Sequence, residues 1–114
     1  MSLSFDDAQR AVVDLPYNPD LDHALGAIHG GIFATLLDTA GWFAAAVQYE
    51  HWVVTVEFQT RLLEQVQRQA LRATGQLVRR GNSVAVGQME VRTHPDGRLV
   101  ATGSGTFKVT GAPR

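Results

Sequence analysis

The chain is 114 residues long, which is enough for one domain and excludes doubly wound dehydrogenases, TIM barrels and most two-domain enzymes. Hydrophobic residues make up 45% of it and charged residues only 18%, so we expect a single domain over residues 1–114 with some apolar surface covered by another copy. A net charge of −1 argues against nucleic-acid or anionic-membrane partners. Because cysteine is absent, disulfides, thiolate metal sites and a cysteine nucleophile are excluded.

Neither a secretory signal nor a membrane span is predicted. Residues 1–10 are polar and have no apolar core segment. The longest apolar stretch, residues 28–47, is interrupted by Asp38 and is rich in glycine and alanine. We therefore expect a cytoplasmic protein.

The hydrophobic pattern predicts an α+β fold with six elements. In chain order these are a short strand, one long helix and four long strands, at residues 10–15, 30–49, 54–62, 70–80, 84–93 and 98–109. The helix is apolar around most of its circumference, which is typical of a buried helix. In the first long strand, the alternation predicts that four apolar residues share one face: Val54, Val56, Phe58 and Leu62.

Turn residues and small residues predict how these elements assemble. Gly81-Asn82 suits a tight hairpin because both residues tolerate positive φ, and Pro95-Asp96-Gly97 predicts another turn. Short links between successive strands favour an antiparallel meander. Small side chains on the predicted inner faces leave room for a closely packed helix: Ala73, Gly75, Ala85, Gly87, Ala101, Gly103 and Gly105. We expect one long central helix wrapped by a curved antiparallel sheet.

The loop before the helix ends in His29-Gly30-Gly31. Two glycines at a helix start expose backbone N–H groups at the positive end of the helix dipole, a suitable place for a carbonyl oxygen that acquires negative charge. The alternative is that the two glycines only permit a tight turn into the helix.

Asp38 is the one acidic or basic residue between His29 and Glu50. A carboxylate within an apolar helix is costly unless it is hydrogen-bonded or used in a reaction, which makes Asp38 a candidate nucleophile or general base. The alternative is that Asp38 lies on a solvated stripe of the helix beside Thr35 or Thr39.

The spacing of Gly30 and Asp38 predicts that a site using both residues is formed by two chains. Eight residues of helix correspond to a rise of about 12 Å, so one carbonyl group cannot contact both residues within a single subunit. If the two act together, Asp38 must meet Gly30 of a neighbouring chain. Two-fold symmetry then gives two equivalent sites at the interface.

The same residues resemble a known family. The His29-Gly30-Gly31 motif, with Asp38 nine positions after the histidine, is similar to the acyl-CoA thioesterases of the hotdog fold, in particular to the branch of the phenylacetate-degradation thioesterase PaaI. The segments 54–58 and 97–107 also resemble that branch, so the similarity runs from about Tyr17 onward. It implies a hotdog domain that hydrolyses an acyl-CoA to the free acid and CoA, without a metal or other cofactor.

The resemblance also implies catalytic roles. The Gly30 N–H would polarise the thioester carbonyl, and Asp38 of the opposing subunit would attack the carbonyl or activate a water. Thr55 would hold that water or orient the carboxylate. His23 stands where the family often has Asn or Gln, seven residues before the first motif glycine, and a neutral histidine can still donate one hydrogen bond.

Other residues are candidate substrate contacts. His29 and Gly31 complete the motif, and His29 is expected to shape the loop. Trp42 suits an acyl pocket, or else core or dimer packing, and Arg80 suits CoA phosphates, or else is a solvated charge. The four histidines lack metal-ligand spacing, so no metal site is predicted. The family's common Tyr-Leu-x-Pro ending is replaced here by residues 61–64, Arg-Leu-Leu-Glu.

Two other functions remain open from the sequence. One is a hotdog protein that binds acyl-CoA or a fatty acid without turnover, which His23 in place of Asn keeps possible. The other is a hotdog hydratase or dehydratase with His29 as base, which Asp38 at this spacing argues against. The expected partners are an acyl-CoA and further copies of the chain, as a homodimer or a homotetramer built as a dimer of dimers.

Overall fold

The computed structural model describes residues 1–23 and 26–114, so Ala24 and Leu25 of the predicted active-site loop lie outside the described residues. A short 3-10 helix at Pro19–Leu21 precedes the α-helix α1, Gly30–Ala46. The strands are β1 Ser2–Phe5, β2 Ala11–Leu15, β3 His51–Leu62, β4 Ala70–Arg80, β5 Val84–His94 and β6 Leu99–Pro113. The predicted helix and all five predicted strands are present, whereas β1 had no prediction.

The strands form one antiparallel sheet in the order β1-β2-β4-β5-β6-β3, and α1 packs against it. The predicted meander is correct for β4, β5 and β6, but wrong for β3, which pairs with β6. The link from β3 to β4 does not close a hairpin and instead runs beside the loop that leads into α1. There the Ile28 N–H donates to the Val66 carbonyl at 2.9 Å, and Val66 is fully buried.

Close packing of α1 on the sheet depends on the small residues that were predicted to face it. A Cβ on Gly75 would clash with the Ala40 carbonyl, so only glycine lets the helix backbone approach β4. A large core cluster forms between the first half of α1 and the sheet, and a second cluster lies around Phe107 near the helix end. One helix against a curved six-stranded antiparallel sheet confirms the predicted α+β architecture.

A β-bulge in β3 changes which side chains face the helix. The register with β6 shifts between Thr55 and Glu57, so Val54 pairs with Lys108 whereas Phe58 pairs with Gly105. Lys108 is exposed and Gly105 is buried, which places Val54 and Phe58 on opposite faces. The prediction that Val54 and Phe58 share a face is therefore wrong, because an extra residue at a bulge reverses the alternation.

Two predicted turns differ in outcome. Gly97 has a φ of +77°, as expected for the turn at residues 95–97. Between β4 and β5, however, neither Gly81 nor Asn82 has a positive φ, and the Gly81 N–H donates to Val84 O at 3.0 Å. The strands are joined by a short three-residue link, as their predicted bounds imply, but the positive φ expected at Gly81-Asn82 is wrong.

The helix α1 is less enclosed than its composition suggests. One side is buried in the core, but Thr35 is exposed and Asp38, Thr39 and Trp42 are half-buried. The prediction of a helix buried all round is therefore wrong for the single chain. In the described residues, no helix has the length and apolar character needed to cross a membrane.

Candidate active site

His29 forms the cap at the start of α1. Its backbone N–H donates to Leu21 O at 3.1 Å, and its Nδ1 accepts the Gly31 N–H at 2.9 Å. An accepting Nδ1 carries no proton, so a neutral His29 holds its proton on Nε2. This geometry fits the expected role of His29 in shaping the loop.

The cap formed by His29 does not provide an acceptor for the Gly30 N–H. Within residues 1–23 and 26–114, no hydrogen-bond acceptor lies on it. The first N–H groups of an α-helix have no partner inside the helix and point out from its positive end. Gly30 therefore presents a free donor to an approaching carbonyl oxygen.

Asp38 lies further along the same helix, on its partly exposed side. The Thr55 hydroxyl, on β3, donates to Asp38 Oδ1 at 2.9 Å. No donor among the described residues lies on the second oxygen, Oδ2. One oxygen is thus fixed by the protein while the other is available to a substrate or a water.

The neighbours of Asp38 agree in part with the alternative of a solvated stripe. Thr35 donates to Gly31 O at 2.9 Å and Thr39 donates to Thr35 O at 2.7 Å, so both hydroxyls are satisfied by the helix itself. Asp38 is the member of this stripe whose side chain is held by another element, through Thr55. Its position is consequently set by the tertiary fold.

Trp42 follows Asp38 by four residues and therefore lies on the same side of α1. Its indole N–H donates to Val53 O at 2.7 Å, two residues before Thr55. Its ring stacks on Trp52 with centroids 6.5 Å apart. Trp42 thus fastens α1 to β3 next to the Asp38–Thr55 pair.

His23 lies on the loop that leads toward α1, where its N–H donates to Ala27 O at 2.8 Å and its carbonyl accepts from Gly26 N at 2.9 Å. Asn18, further upstream, has a separate task. Its side chain caps the 3-10 helix by accepting the Asp20 N–H at 3.0 Å.

Arg80 lies at the other end of the helix. Its guanidinium donates to Gln48 O at 2.8 Å and stands 4.6 Å from the ring centre of Tyr49. Within one chain, the structure brings together His29, Gly30 and Gly31, and separately Asp38, Thr55 and Trp42. Arg80 belongs to neither group. In the described ranges, no three His, Asp or Glu side chains are grouped so as to hold a metal ion.

Two features of the site were not predicted from the sequence. The first is that β3, an edge strand, exposes large apolar side chains along its length: Trp52, Val54, Val56, Phe58 and Leu62. The second is that Leu62 reaches Gly30, since a Cβ built on Gly30 would lie 2.9 Å from Leu62 Cδ1. The apolar composition of β3 was a usable signal for the first, but nothing in the sequence indicates the second.

The sequence of the chain is similar to that of known proteins. The family model described as "Thioesterase superfamily" matches residues 25–100. A Saccharolobus solfataricus protein named "Putative esterase" is 31% identical over 101 residues, which cover 88% of this chain and 71% of that protein.

Two solved structures are similar to this chain in fold. A Bacillus halodurans protein crystallised with CoA is 32% identical, with a TM-score of 0.88 over 97% of this chain and 74% of its own. The Escherichia coli PaaI protein, from the phenylacetic acid degradation operon, is 24% identical, with a TM-score of 0.85 over 91% of this chain and 75% of its own. The likeness to PaaI shows a shared fold.

Proposed function

Since the chain belongs to the thioesterase superfamily and is a thioester hydrolase, we propose that it cleaves acyl-CoA thioesters at a site shared by Gly30 of one subunit and Asp38 of another. The observation that carries this proposal is a half-satisfied carboxylate on the same helix as a free N–H. Eight residues separate the two groups, a rise of about 12 Å, which is too far for one carbonyl. The whole chain, residues 1–114, would act as one domain within a homodimer.

The surface of β3 supports the shared site. It is an edge strand with unpaired backbone groups and with exposed apolar side chains on both faces, a combination that favours pairing with another strand. Pairing of β3 with its symmetry mate extends the sheet across two subunits. Because Thr55 on β3 holds Asp38, this interface brings Asp38 close to the partner. A further pairing of dimers into a tetramer stays a prediction.

The expected first step is polarisation of the thioester. The carbonyl oxygen accepts the Gly30 N–H at the positive end of α1, which stabilises the negative charge of the tetrahedral intermediate. In the general-base route, Asp38 Oδ2 takes a proton from a water whose oxygen bonds to the carbonyl carbon. Collapse of the intermediate breaks the C–S bond, and the proton passes from Asp38 to the thiolate. The products are the acid and CoA.

In the nucleophilic route, Oδ2 itself bonds to the carbonyl carbon, the thiolate leaves, and water hydrolyses the resulting anhydride. A single turnover in ¹⁸O-water distinguishes the routes. General-base catalysis places ¹⁸O in the first acid released. Attack by Asp38 delivers an ¹⁶O from the carboxylate whenever water cleaves the anhydride at the aspartyl carbon.

CoA is the proposed thiol carrier because the Bacillus halodurans relative was crystallised with it. Trp42 is proposed to flank the acyl group, since it lies on the same side of α1 as Asp38. His29 and Gly31 keep the oxyanion loop in shape through their mutual hydrogen bond. The hydrogen bond from His23 to the substrate and the binding of CoA phosphate by Arg80 stay predictions.

A panel of acyl-CoAs assayed for released thiol tests the proposal, with Asp38→Asn as the decisive variant. We expect at least a 10³-fold loss of kcat on the preferred substrate, about 4 kcal/mol of transition-state stabilisation. The matched control is Glu57→Gln, which changes another carboxylate bonded by a threonine and should retain activity. Full activity of Asp38→Asn would contradict the mechanism. Tight acyl-CoA binding without thiol release by the wild type would instead favour a binding protein.

A further inference from the structure

Leu62, at the end of β3, lies beside Gly30, the residue that carries the free donor of the proposed site. A Cβ on Gly30 would approach Leu62 Cδ1 to 2.9 Å, closer than real Cβ atoms come, so the leucine occupies the space that a larger residue would need. A larger residue at position 30 would therefore displace the end of the Leu62 side chain. An apolar side chain therefore contacts the residue that carries the unpaired N–H.

The backbone around Leu62 is held in place by hydrogen bonds to the rest of the fold. The next residue, Leu63, donates its N–H to Val100 O at 2.9 Å. Four residues after Leu62, Val66 O accepts the N–H of Ile28 at 2.9 Å, and Ile28 stands two residues before Gly30. The segment that carries Leu62 and the loop that carries Gly30 are thus fastened to each other. The contact between Leu62 and Gly30 follows from the fold.

Leu62 is nevertheless 54% exposed, so about half of its side chain is available to a substrate. A hydrogen bond to a developing oxyanion is stronger where water is excluded and the local dielectric is low. A thioester that accepts the Gly30 N–H would cover this apolar surface. Leu62 would then block water from one side of the donor.

We propose, on the basis of the function proposed above, that Leu62 is a positioning residue that seats the thioester carbonyl on the Gly30 N–H and shields that hydrogen bond from water. It acts through Gly30 and takes no part in bond making. The role concerns the reacting end of the substrate, so its loss should lower kcat more than it raises KM.

The first test is Leu62→Ala with the substrate that the wild type prefers. We expect kcat to fall about tenfold and KM to change less than about twofold, because the lost contact matters most in the transition state. Leu62→Met should recover most of kcat because it restores an apolar side chain of similar reach. The matched control is Leu63→Ala, which truncates a leucine of similar exposure and should leave kcat unchanged.

A double-mutant cycle tests whether Leu62 acts through Gly30. Gly30→Ala keeps the N–H but adds the Cβ that displaces Leu62, so it should lower kcat about as much as Leu62→Ala does. Combining the two substitutions should then add little further loss. Independent, multiplicative effects would overturn the proposed coupling.

The outcomes separate this inference from the proposed function. A wild type that hydrolyses acyl-CoA, an inactive Asp38→Asn and an unaffected Leu62→Ala would overturn the role of Leu62 alone. A rise in KM without a fall in kcat would also overturn it, since Leu62 would then only bind substrate. A wild type that hydrolyses no thioester would overturn both.

Discussion

The two ends of α1 differ in how their backbone polar groups are satisfied. At the C-terminal end, the N–H groups of Val47, Gln48 and Tyr49 all donate to carbonyls of the last helical turn, and Arg80 donates to Gln48 O. The Tyr49 hydroxyl ties the same end to Gly81 O at 2.6 Å. At the N-terminal end, the Gly30 N–H has no acceptor among the described residues. One end is closed by the protein, and the other has a donor available to a ligand.

If the proposed function is correct, one end of α1 contributes mainly to stability and the other mainly to the reaction. Free polar groups at the N-terminal end suit a ligand that completes the hydrogen bonding. Satisfied groups at the C-terminal end contribute to folding instead. Substitutions near Gly30 and Asp38 should therefore change the rate of hydrolysis, and substitutions near Tyr49 should change the free energy of unfolding.

After Asp38→Asn, Gly30→Pro should have the largest effect, because it removes the donor and preserves the helix. Proline is favoured at the first helical position because the helix does not need its missing N–H there, and the ψ of 136° at His29 suits a residue before proline. We expect kcat to fall by about 10²–10³, or about 2.7–4 kcal/mol of transition-state stabilisation. Circular dichroism should show an intact fold.

The control for this prediction is Gly30→Ala, which keeps the N–H and adds only the Cβ. Its loss of kcat should be about tenfold, much smaller than that of the proline variant. Equal losses in the two variants would show that bulk at this position, and not the donor, is what matters.

Thr55→Val should have the next largest effect. It replaces the hydroxyl that donates to Asp38 Oδ1 with a methyl group of similar size, so the carboxylate loses its orientation. We expect about a tenfold fall in kcat. The control is Thr106→Val, since Thr106 makes an equivalent bond to Glu57 at 2.6 Å. A loss of rate in both variants would point to a general effect on the sheet.

Tyr49→Phe should act on stability at the closed end of the helix. It removes the hydrogen bond to Gly81 O from a side chain that is 7% exposed, which should lower the free energy of unfolding by about 1 kcal/mol. Urea denaturation at a fixed protein concentration measures this change. The rate of hydrolysis should be that of the wild type. A slower variant would contradict the claim that the C-terminal end of α1 affects stability and not the reaction.

Asp96 should make a smaller, pH-dependent contribution to the free energy of unfolding, near the N-terminal end of α1. The pKa of its carboxyl is lowered from 3.8, first by the hydrogen bond from the Thr93 hydroxyl and then by Gln69. Gln69 closes the link whose Val66 carbonyl accepts from Ile28. A lowered pKa means that this stabilisation is present above about pH 3.8 and is lost as pH falls through the folded-state value.

Urea denaturation of Asp96→Asn and the wild type between pH 6 and pH 3 checks this prediction. The variant should be less stable than the wild type at pH 6, and the difference should shrink at the acid end of the series. A difference that is constant with pH would contradict it.

Much of this fold could be predicted from the sequence because local patterns decide it. Alternation and small inner residues indicated β4, β5 and β6, as well as the close approach of α1 at Gly75. The pairing of β3 with β6 and the bulge after Thr55 could not be predicted, since both depend on contacts between residues far apart in the chain. Burial of α1 was overestimated because one of its sides faces away from the sheet of its own chain.

The candidate site divides in the same way. The His29-Gly30-Gly31 motif and Asp38 could be identified because their spacing is local. The bond from Thr55 to Asp38 was suggested only by family resemblance, and the contact of Leu62 with Gly30 had no local signal. The contacts of Arg80 at the helix end likewise had no local signal, because Gln48 and Tyr49 lie far from Arg80 in the chain.

Subunit complementation tests the shared site most directly. Asp38→Asn and Gly30→Pro chains, each inactive alone, are unfolded together and refolded as an equal mixture. Half of the dimers should be mixed, and each mixed dimer has one site with both an intact Gly30 and an intact Asp38. Thiol release should return to about a quarter of the wild-type rate. Activity no greater than the sum of the two separate variants would contradict a site shared between subunits.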